Sequence, residues 1–370
     1  MTEHYDLAII GGGIIGLAHA YVAVKRGLSV VVIEREARAN GASIRNFGFI
    51  TVSGQARETV WPLARRARDV WAEIAAPASI GIEHRGLMLT ARYPESLAVL
   101  EAFVHTEMGE ECALLSPKQL RAHHPQICAR TNLTTLWSPH ELRVESRTAI
   151  PKLTEWLRDR WGVTFMAQTT ALTVEPPHIE TSRGEVSARR AIVCPGDDFN
   201  TLFPEQIMAH RPTRCILTML RLASPGFALP AGLMSDLGLV RYAGYANLPE
   251  AAALKARLSR DYARHLAHGV HLIIVQSADG SLVVGDSHHY DLTPAPFASA
   301  ESEALILNEF RAATGLTPPP VTERWTGVYS SAEQPYFIDT PSPHVRVVMV
   351  TSGAGASMSF GLAELVIDSL

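Results

Sequence analysis

The sequence predicts an α/β fold, a Rossmann-like nucleotide-binding domain joined to an α+β second domain, and three N-terminal observations predict its first half. Leu7 to Ile10 is a short apolar strand running directly into Gly11, Gly12, Gly13, Ile14, Ile15 and Gly16, a G-x-G-x-x-G pattern. Leu17, Ala18, Ala20, Tyr21 and Val24 then recur with helical spacing. A second strand, Ser29 to Ile33, ends in Glu34, which lies 34 − 11 = 23 residues beyond the first glycine. Each part has a physical role. Gly11 permits the tight turn, Gly13 lets backbone approach a pyrophosphate, and Gly16 lets helix pack closely on strand. The helix start offers free N–H groups and a positive dipole end to phosphates, and an acid at that spacing accepts ribose hydroxyls. The glycine pattern alone also describes an ordinary turn. Strand, glycines, helix, strand and acid in series predict a bound dinucleotide.

Composition bounds the rest. A chain of 370 residues allows roughly two to three domains. With 47% hydrophobic and 19% charged residues it has the make-up of a globular enzyme with a large core. A formal charge of −4 leaves no electrostatic footprint for nucleic acid or an anionic membrane, so neither partner is expected. No apolar run approaches the ~20 residues a membrane helix needs. The N-terminal apolar run reads as a strand rather than a signal peptide. Cys112, Cys128, Cys194 and Cys215 lack metal or disulfide spacing, which suits a reducing cytoplasm. The pairs His123–His124 and His288–His289 have no i, i+4 spacing, so no metal is expected.

Organisation beyond Glu34 departs from the uninterrupted strand–helix series of an NAD-binding fold. Arg35-Glu36-Ala37-Arg38 is followed by the small polar stretch Asn40-Gly41-Ala42-Ser43 and then by Ile44-Arg45-Asn46-Phe47-Gly48-Phe49-Ile50. Ala191 to Val193 is an apolar β run entering Cys194-Pro195-Gly196. Val347 to Val350 leads into Thr351-Ser352-Gly353-Ala354-Gly355-Ala356-Ser357-Met358 and an apolar helix to the C-terminus. Ser146 is placed to cap a helix over Arg147–Trp161. Val270 to Ser277, the turn Ala278-Asp279-Gly280-Ser281 and Leu282 to Gly285 read as a hairpin.

The segments "AIIGGGIIGLAHA", "VIERE" and "GASIRNFGFI" resemble the D-amino-acid oxidase, glycine oxidase and sarcosine oxidase superfamily of FAD-dependent amine oxidoreductases. The resemblance implies a glycine oxidase-like architecture. Residues 1–85, 145–205 and 321–370 would form the FAD-binding domain. Residues 86–144 and 206–320 would form a discontinuous substrate domain, one antiparallel sheet over the flavin. It implies non-covalent FAD, held by Gly11, Gly12, Gly13, Ile14, Ile15, Gly16, Glu34, Arg35, Ala42, Ser43, Arg45, Asn46, Phe47, Gly48, Val174, Cys194, Pro195, Gly196, Gly327, Gly353, Ala354, Gly355, Ala356, Ser357 and Met358. Ser330-Ser331 stand where relatives place a flavin-attaching cysteine, and Lys118 and Lys255 read as exposed helix residues rather than the lysine that activates O2 in related oxidases. O2 is still the implied acceptor.

The implied chemistry oxidises a C–H next to nitrogen in a small amine, giving an imine that water converts to an aldehyde. Cofactor chemistry dominates such a reaction, and no catalytic side chain is assigned. One departure bears on the substrate. Relatives place W-x-G-x-R-P before the last strand, with the arginine gripping a substrate carboxylate through its planar fork. Here the stretch is Trp325-Thr326-Gly327-Val328-Tyr329-Ser330, so Tyr329 replaces that arginine unless another arginine supplies the fork. "ASIRNFG", "LWSPHELRVESR" and "VVGDSHHYD" are similar to a subfamily associated with aminophosphonate breakdown. A tetrahedral, nearly doubly charged phosphonate needs donors from several directions. Arg45, Arg241, Tyr242, His288, His289 and Tyr329 are the candidates, with strand alternation allowing only one of the two histidines to face a pocket. The expected substrate is 2-aminoethylphosphonate or its N-methyl derivative. Glycine, sarcosine or a D-amino acid is the alternative, and a flavoprotein subunit of a multi-subunit dehydrogenase is a third reading.

Overall fold

The strand His4–Ile10 lies at the centre of a parallel sheet. In the computed structural model, which describes residues 4–127 and 131–370, five parallel strands stand in the order Thr164–Met166, Val30–Ile33, His4–Ile10, Gly184–Val193, Val345–Ser352. Cys128 lies outside the described residues. Every residue of Val30–Ile33 is buried, which explains its unbroken apolar run: both faces of a parallel sheet are covered. One face packs against the helices Ile14–Lys25, Trp61–Ala75, Ser146–Trp161 and Gly355–Ile367. The other face meets Val174, Ile179, Phe199 and Phe337.

A second, mainly antiparallel array carries Val321–Ser342, Thr213–Leu222, Leu282–Gly285, Ile273–Gln276, Gly232–Met234, Ile82–Ala91 and Thr134–Val144 in that order, with Gly232–Met234 parallel to Ile82–Ala91. The expected hairpin is present, pairing Ile273 with Gly285 and Gln276 with Leu282. Its first strand starts at Ile273 rather than Val270. The 22-residue strand Val321–Ser342 joins the two arrays. Its first half pairs with Thr213–Leu222 and its second half with Val345–Ser352.

Ser146 does not cap its helix. The helix begins at Ser146 itself, behind Glu145. The Ser146 hydroxyl instead donates to Asn46 Oδ1 at 2.8 Å, because a serine one residue inside the helix can reach a tertiary acceptor. Among the described residues no helix is long and apolar enough to cross a membrane.

Arg92, Asp236 and Glu309 form a fully buried ionic group in the second array, with Arg92 donating to both carboxylates. Removing the one cation leaves two carboxylates buried without compensation. Arg92→Met is therefore expected to destabilise the protein by about 3–5 kcal/mol in chemical denaturation, and a loss below 1 kcal/mol would contradict this account.

Candidate active site

The first glycine loop is forced by close approach. Gly11 has φ +110°, and a Cβ on Gly16 would lie 1.9 Å from the Gly11 carbonyl oxygen, so helix and strand meet backbone to backbone. The helix starting at Ile14 has no side-chain cap on Gly13, although Ser43 Oγ accepts the Ile14 N–H at 2.9 Å. Glu34 accepts the Gly12 N–H at 2.7 Å and the Glu36 N–H at 2.9 Å. Those two bonds fix its carboxylate at the end of the second strand, on the wall of a large cavity.

That cavity encloses about 890 Å³ and runs from the glycine loop to the antiparallel array, near the upper end of small-molecule sites. Its lining includes Gly11, Gly13, Ile14, Ile15, Gly16, Glu34, Arg35, Ala42, Ser43, Arg45, Asn46, Phe47, Cys194, Pro195, Gly196, Gly327, Gly353, Ala354, Gly355, Ala356 and Ser357. Four expected cofactor residues lie elsewhere. Gly12 is turned to Glu34. Gly48 packs its Cα against the Val144 carbonyl. Val174 sits in the core behind the sheet, and the cavity wall there is Thr169, Thr170 and Ala171. Met358 is buried in the helix-covered core, because the apolar side chain after Ser357 turns inward from the helix start.

The residues present fit a dinucleotide. A helix start whose N-cap Gly13 offers no side chain, a close-approach glycine turn and an anchored acid stand at one end. At the other end a second helix start, Gly355, follows Gly353 with no side-chain cap on Ala354. Asn46 braces the wall between them, donating to the Ala42 carbonyl at 2.7 Å and accepting from the Gly48 N–H at 2.6 Å. Burial pushes the Cys194 thiol well above its usual range, so no thiolate stands on this wall at neutral pH.

The antiparallel array brings Arg241, Tyr242, His288 and Tyr329 to the far end of the cavity. Arg241 donates through Nη1 to the Tyr290 hydroxyl and through Nη2 to the Tyr329 hydroxyl, each at 3.2 Å. Among the described residues it makes no ion pair with a carboxylate within 4.0 Å, while its side chain remains accessible from the cavity. Arg45 lines the same cavity, and its carbonyl accepts the Trp325 indole N–H at 3.0 Å. His289 is turned away: its Nε2 lies 3.3 Å from Ser302 Oγ, and only His288 faces the cavity, as strand alternation requires. Lys118 and Lys255 are exposed helix residues, and no lysine lines the cavity among the described residues.

Two further cavity residues stand outside the candidate set: His271 lies in no motif, and Asp286 lies inside the VVGDSHHYD segment. His271 and Asp286 are almost completely buried beside His288. His271 Nδ1 and Asp286 Oδ1 are 3.7 Å apart, and His288 Nε2 and Asp286 Oδ2 are 3.6 Å apart. The His271–Asp286–His288 group has ligand atoms within 4.8 Å of one another, a spacing a metal could use, although no metal was expected. The neighbouring Arg241 cation opposes a second positive charge there. Burial pushes the Asp286 carboxyl up to about 7, against the pull of Arg241. Burial and then Arg241 hold both imidazoles well below the usual histidine range, so they are neutral at pH 7.

Comparison with known proteins agrees with this geometry. The chain is 24% identical over 205 residues to the monomeric sarcosine oxidase of Bacillus sp. (strain B-0618), covering 53% of this chain and 52% of that protein. It is 27% identical over 218 residues to the N-methyl-L-tryptophan oxidase of Shigella sonnei (strain Ss046), covering 55% and 56%. The chain thus spans about half the length of the curated relatives it matches. The fold is similar to that of glycine oxidase from Bacillus cereus ATCC 14579, with a TM-score of 0.76 at 18% identity over 98% of this chain and 96% of that one. The L-proline dehydrogenase of P. horikoshii aligns with a TM-score of 0.78 at 14% identity over 100% and 93%. Residues 6–369 match the family described as "DAO: FAD dependent oxidoreductase". The chain belongs to this family of FAD-dependent oxidoreductases.

Proposed function

We propose that the protein oxidises the C–N bond of a small amine carrying an anionic group, with an aminophosphonate such as 2-aminoethylphosphonate or its N-methyl derivative as substrate and O2 as acceptor. In this reading residues 1–85, 145–205 and 321–370 bind FAD, and residues 86–144 and 206–320 bind the amine. One observation supports the substrate class: Arg241, with no carboxylate partner among the described residues, stands in the cavity with two tyrosine hydroxyls bonded to it. Bound FAD supplies the acceptor of two electrons and a hydrogen from the carbon next to nitrogen. The chain's own part is to hold that carbon in reach, at roughly 3–3.5 Å. Arg241 fixes the anion, with the Tyr290 and Tyr329 hydroxyls beside it and Arg45 on the same cavity wall. Donors from several separate side chains would suit a tetrahedral phosphonate more than a planar carboxylate.

A second reading has its own observation. Arg241 reaches the hydroxyl of Tyr329, the position at which relatives carry an arginine. It could supply the missing fork to a carboxylate, which favours glycine or sarcosine. Peroxide production across a panel of 2-aminoethylphosphonate, its N-methyl derivative, glycine, sarcosine and D-alanine separates the two. The proposal expects kcat/KM for an aminophosphonate to exceed that for every amino acid by about tenfold or more, the 1.4 kcal/mol step that one extra anion contact readily supplies. Better turnover of glycine or sarcosine would overturn the phosphonate assignment and leave the amine reading in place. If no amine gives peroxide or bleaches the flavin anaerobically, the amine reading itself fails.

A further inference from the structure

Two buried polar atoms of the cavity wall have no hydrogen-bond partner among the described residues. His271 Nδ1 and Asp286 Oδ1 face each other at 3.7 Å, and neither makes a hydrogen bond. On the other side of the carboxyl group the geometry is as specific. The Gly269 carbonyl can only accept, so His288 Nδ1, 3.0 Å from it, carries the ring proton of the neutral imidazole. His288 Nε2 is then a bare lone pair directed at Asp286 Oδ2, 3.6 Å away. An ionised Asp286 therefore faces the bare His288 nitrogen, acceptor to acceptor, in a place from which water is largely excluded. A single proton bound within the group removes that conflict.

We propose that His271, Asp286 and His288 form a proton-holding site that takes the proton from the ammonium group of the bound substrate before its carbon is oxidised. This rests on the amine reading above. An N–H bond of R–CH2–NH3+ breaks, its electron pair stays on nitrogen, and the proton bonds to the His–Asp–His group, leaving R–CH2–NH2. The lone pair freed on nitrogen is what lets the adjacent C–H give up its electrons. The proton returns to water when product leaves. Arg241 at the same end of the cavity holds the anion and disfavours a second positive charge, which lowers the proton affinity of the amine and of the group alike. Burial, which raises the Asp286 carboxyl, is what favours the group as acceptor. The charged and titratable groups facing Asp286 are Arg241, Tyr242, Cys215, His271 and His288. Burial pushes the Cys215 thiol up to about 11 and Tyr242 above its usual range, so neither competes at neutral pH. The raised Asp286 value agrees with a group that is a proton acceptor above about pH 7 and already loaded below it.

The test is the pH dependence of anaerobic flavin reduction by 2-aminoethylphosphonate and by sarcosine, in wild type, Asp286→Asn and His288→Gln. Wild type is expected to lose activity below about pH 7, tenfold per pH unit. Without the group only free-base amine reacts, so the acidic limb moves toward the amine's own pKa near about 10. The variants then lose about 10²–10³-fold at pH 7 and recover most of it by pH 10, the range that general base catalysis accounts for. A parallel binding readout uses (2-amino-2-methylpropyl)phosphonate, which has no hydrogen on its nitrogen-bearing carbon and cannot be oxidised. Its affinity, followed by the shift in flavin absorbance, moves to alkaline pH in the variants by the same amount. A loss equal at every pH, with the limb unmoved, overturns the proposal and marks the group as structural. A wild-type profile with no limb between pH 6 and 8 overturns it without any variant. Failure of every amine to reduce the wild-type flavin removes the amine reading and this proposal together, whereas reduction with an unmoved limb removes this proposal alone.

Discussion

Replacing Arg241 by methionine is expected to raise KM for the amine substrate by about 10²–10³-fold while the protein stays yellow. The guanidinium bonds the hydroxyls of Tyr290 and Tyr329 and has no carboxylate partner among the described residues, so its charge is free for a ligand anion. Each charge-assisted hydrogen bond to an anion contributes about 1.5–3 kcal/mol, and a forked pair gives about 3–5 kcal/mol in all. Methionine keeps the length of the side chain and removes the charge. Because the anion is bound equally before and during the reaction, the loss belongs in KM rather than kcat. Arg241→Lys should recover only part of it, since an ammonium is a point charge without the fork. Steady-state kinetics on both variants decide the matter. An unchanged KM would show that the anion is bound elsewhere, with Arg45 the next residue to test.

The second large effect is expected at the opposite end of the cavity. A Cβ on Gly16 would stand 1.9 Å from the Gly11 carbonyl oxygen and 3.2 Å from Ile9 Cγ2. Backbone cannot yield as a flexible side chain does. Gly16→Val must push the helix Ile14–Lys25 off the strand His4–Ile10, and that same helix start is the one that would face the pyrophosphate of bound FAD. The purified variant is expected to be colourless, or to lose FAD at concentrations that saturate wild type by about 10³-fold or more, with a lowered denaturation midpoint; overpacking alone costs about 1–3 kcal/mol. Flavin absorbance after gel filtration reads it directly. Full retention of FAD would mean that the glycine loop does not grip the cofactor.

The nucleotide end was legible in the sequence because it is local. Strand, turn and helix of the first loop lie within Leu7–Val24, and Glu34 follows one strand later, so spacing along the chain stands in for distance. Where spacing stopped being local, the reading slipped. Val174 lies further along the strand Ala171–Glu175, and the cavity wall is made three to five residues earlier, by Thr169 to Ala171. Gly12 and Gly48 are glycines for contacts within the protein rather than for the cavity. Ser146 had the chemistry of a cap and found Asn46 instead. At the far end of the cavity, alternation separates His288 from His289, but His271 lies in no motif and the VVGDSHHYD segment does not by itself distinguish Asp286. They are brought together by pairing across a hairpin, where His271 N–H and Asp286 C=O, and their reverse, lie 3.4 Å apart. Asp286 follows directly on Gly285, which ends the strand, and His271 precedes Ile273 by two residues. Continuing the ladder past Ile273–Gly285 would set Asp286 opposite Leu272, so the observed His271–Asp286 pairing is shifted by one residue and no sequence pattern marks it.

The strand Val321–Ser342 has a consequence for how such a protein can change. It places Tyr329 beside Arg241 in its first half and ladders against Val345–Ser352 in its second, and a Cβ on Gly353 would come within 3.0 Å of the Tyr329 ring. One continuous ribbon thus acts as a common ruler for both ends of the chamber. Insertion or deletion of a single residue within a regularly paired run would turn over the side chains up to the next irregularity, between Ser331 and Tyr336 or between Asp339 and Ser342, where a bulge can absorb the change. New specificity in this scaffold is therefore expected to come by swapping side chains along the ruler, by lengthening loops elsewhere, or by changing the count at those irregularities.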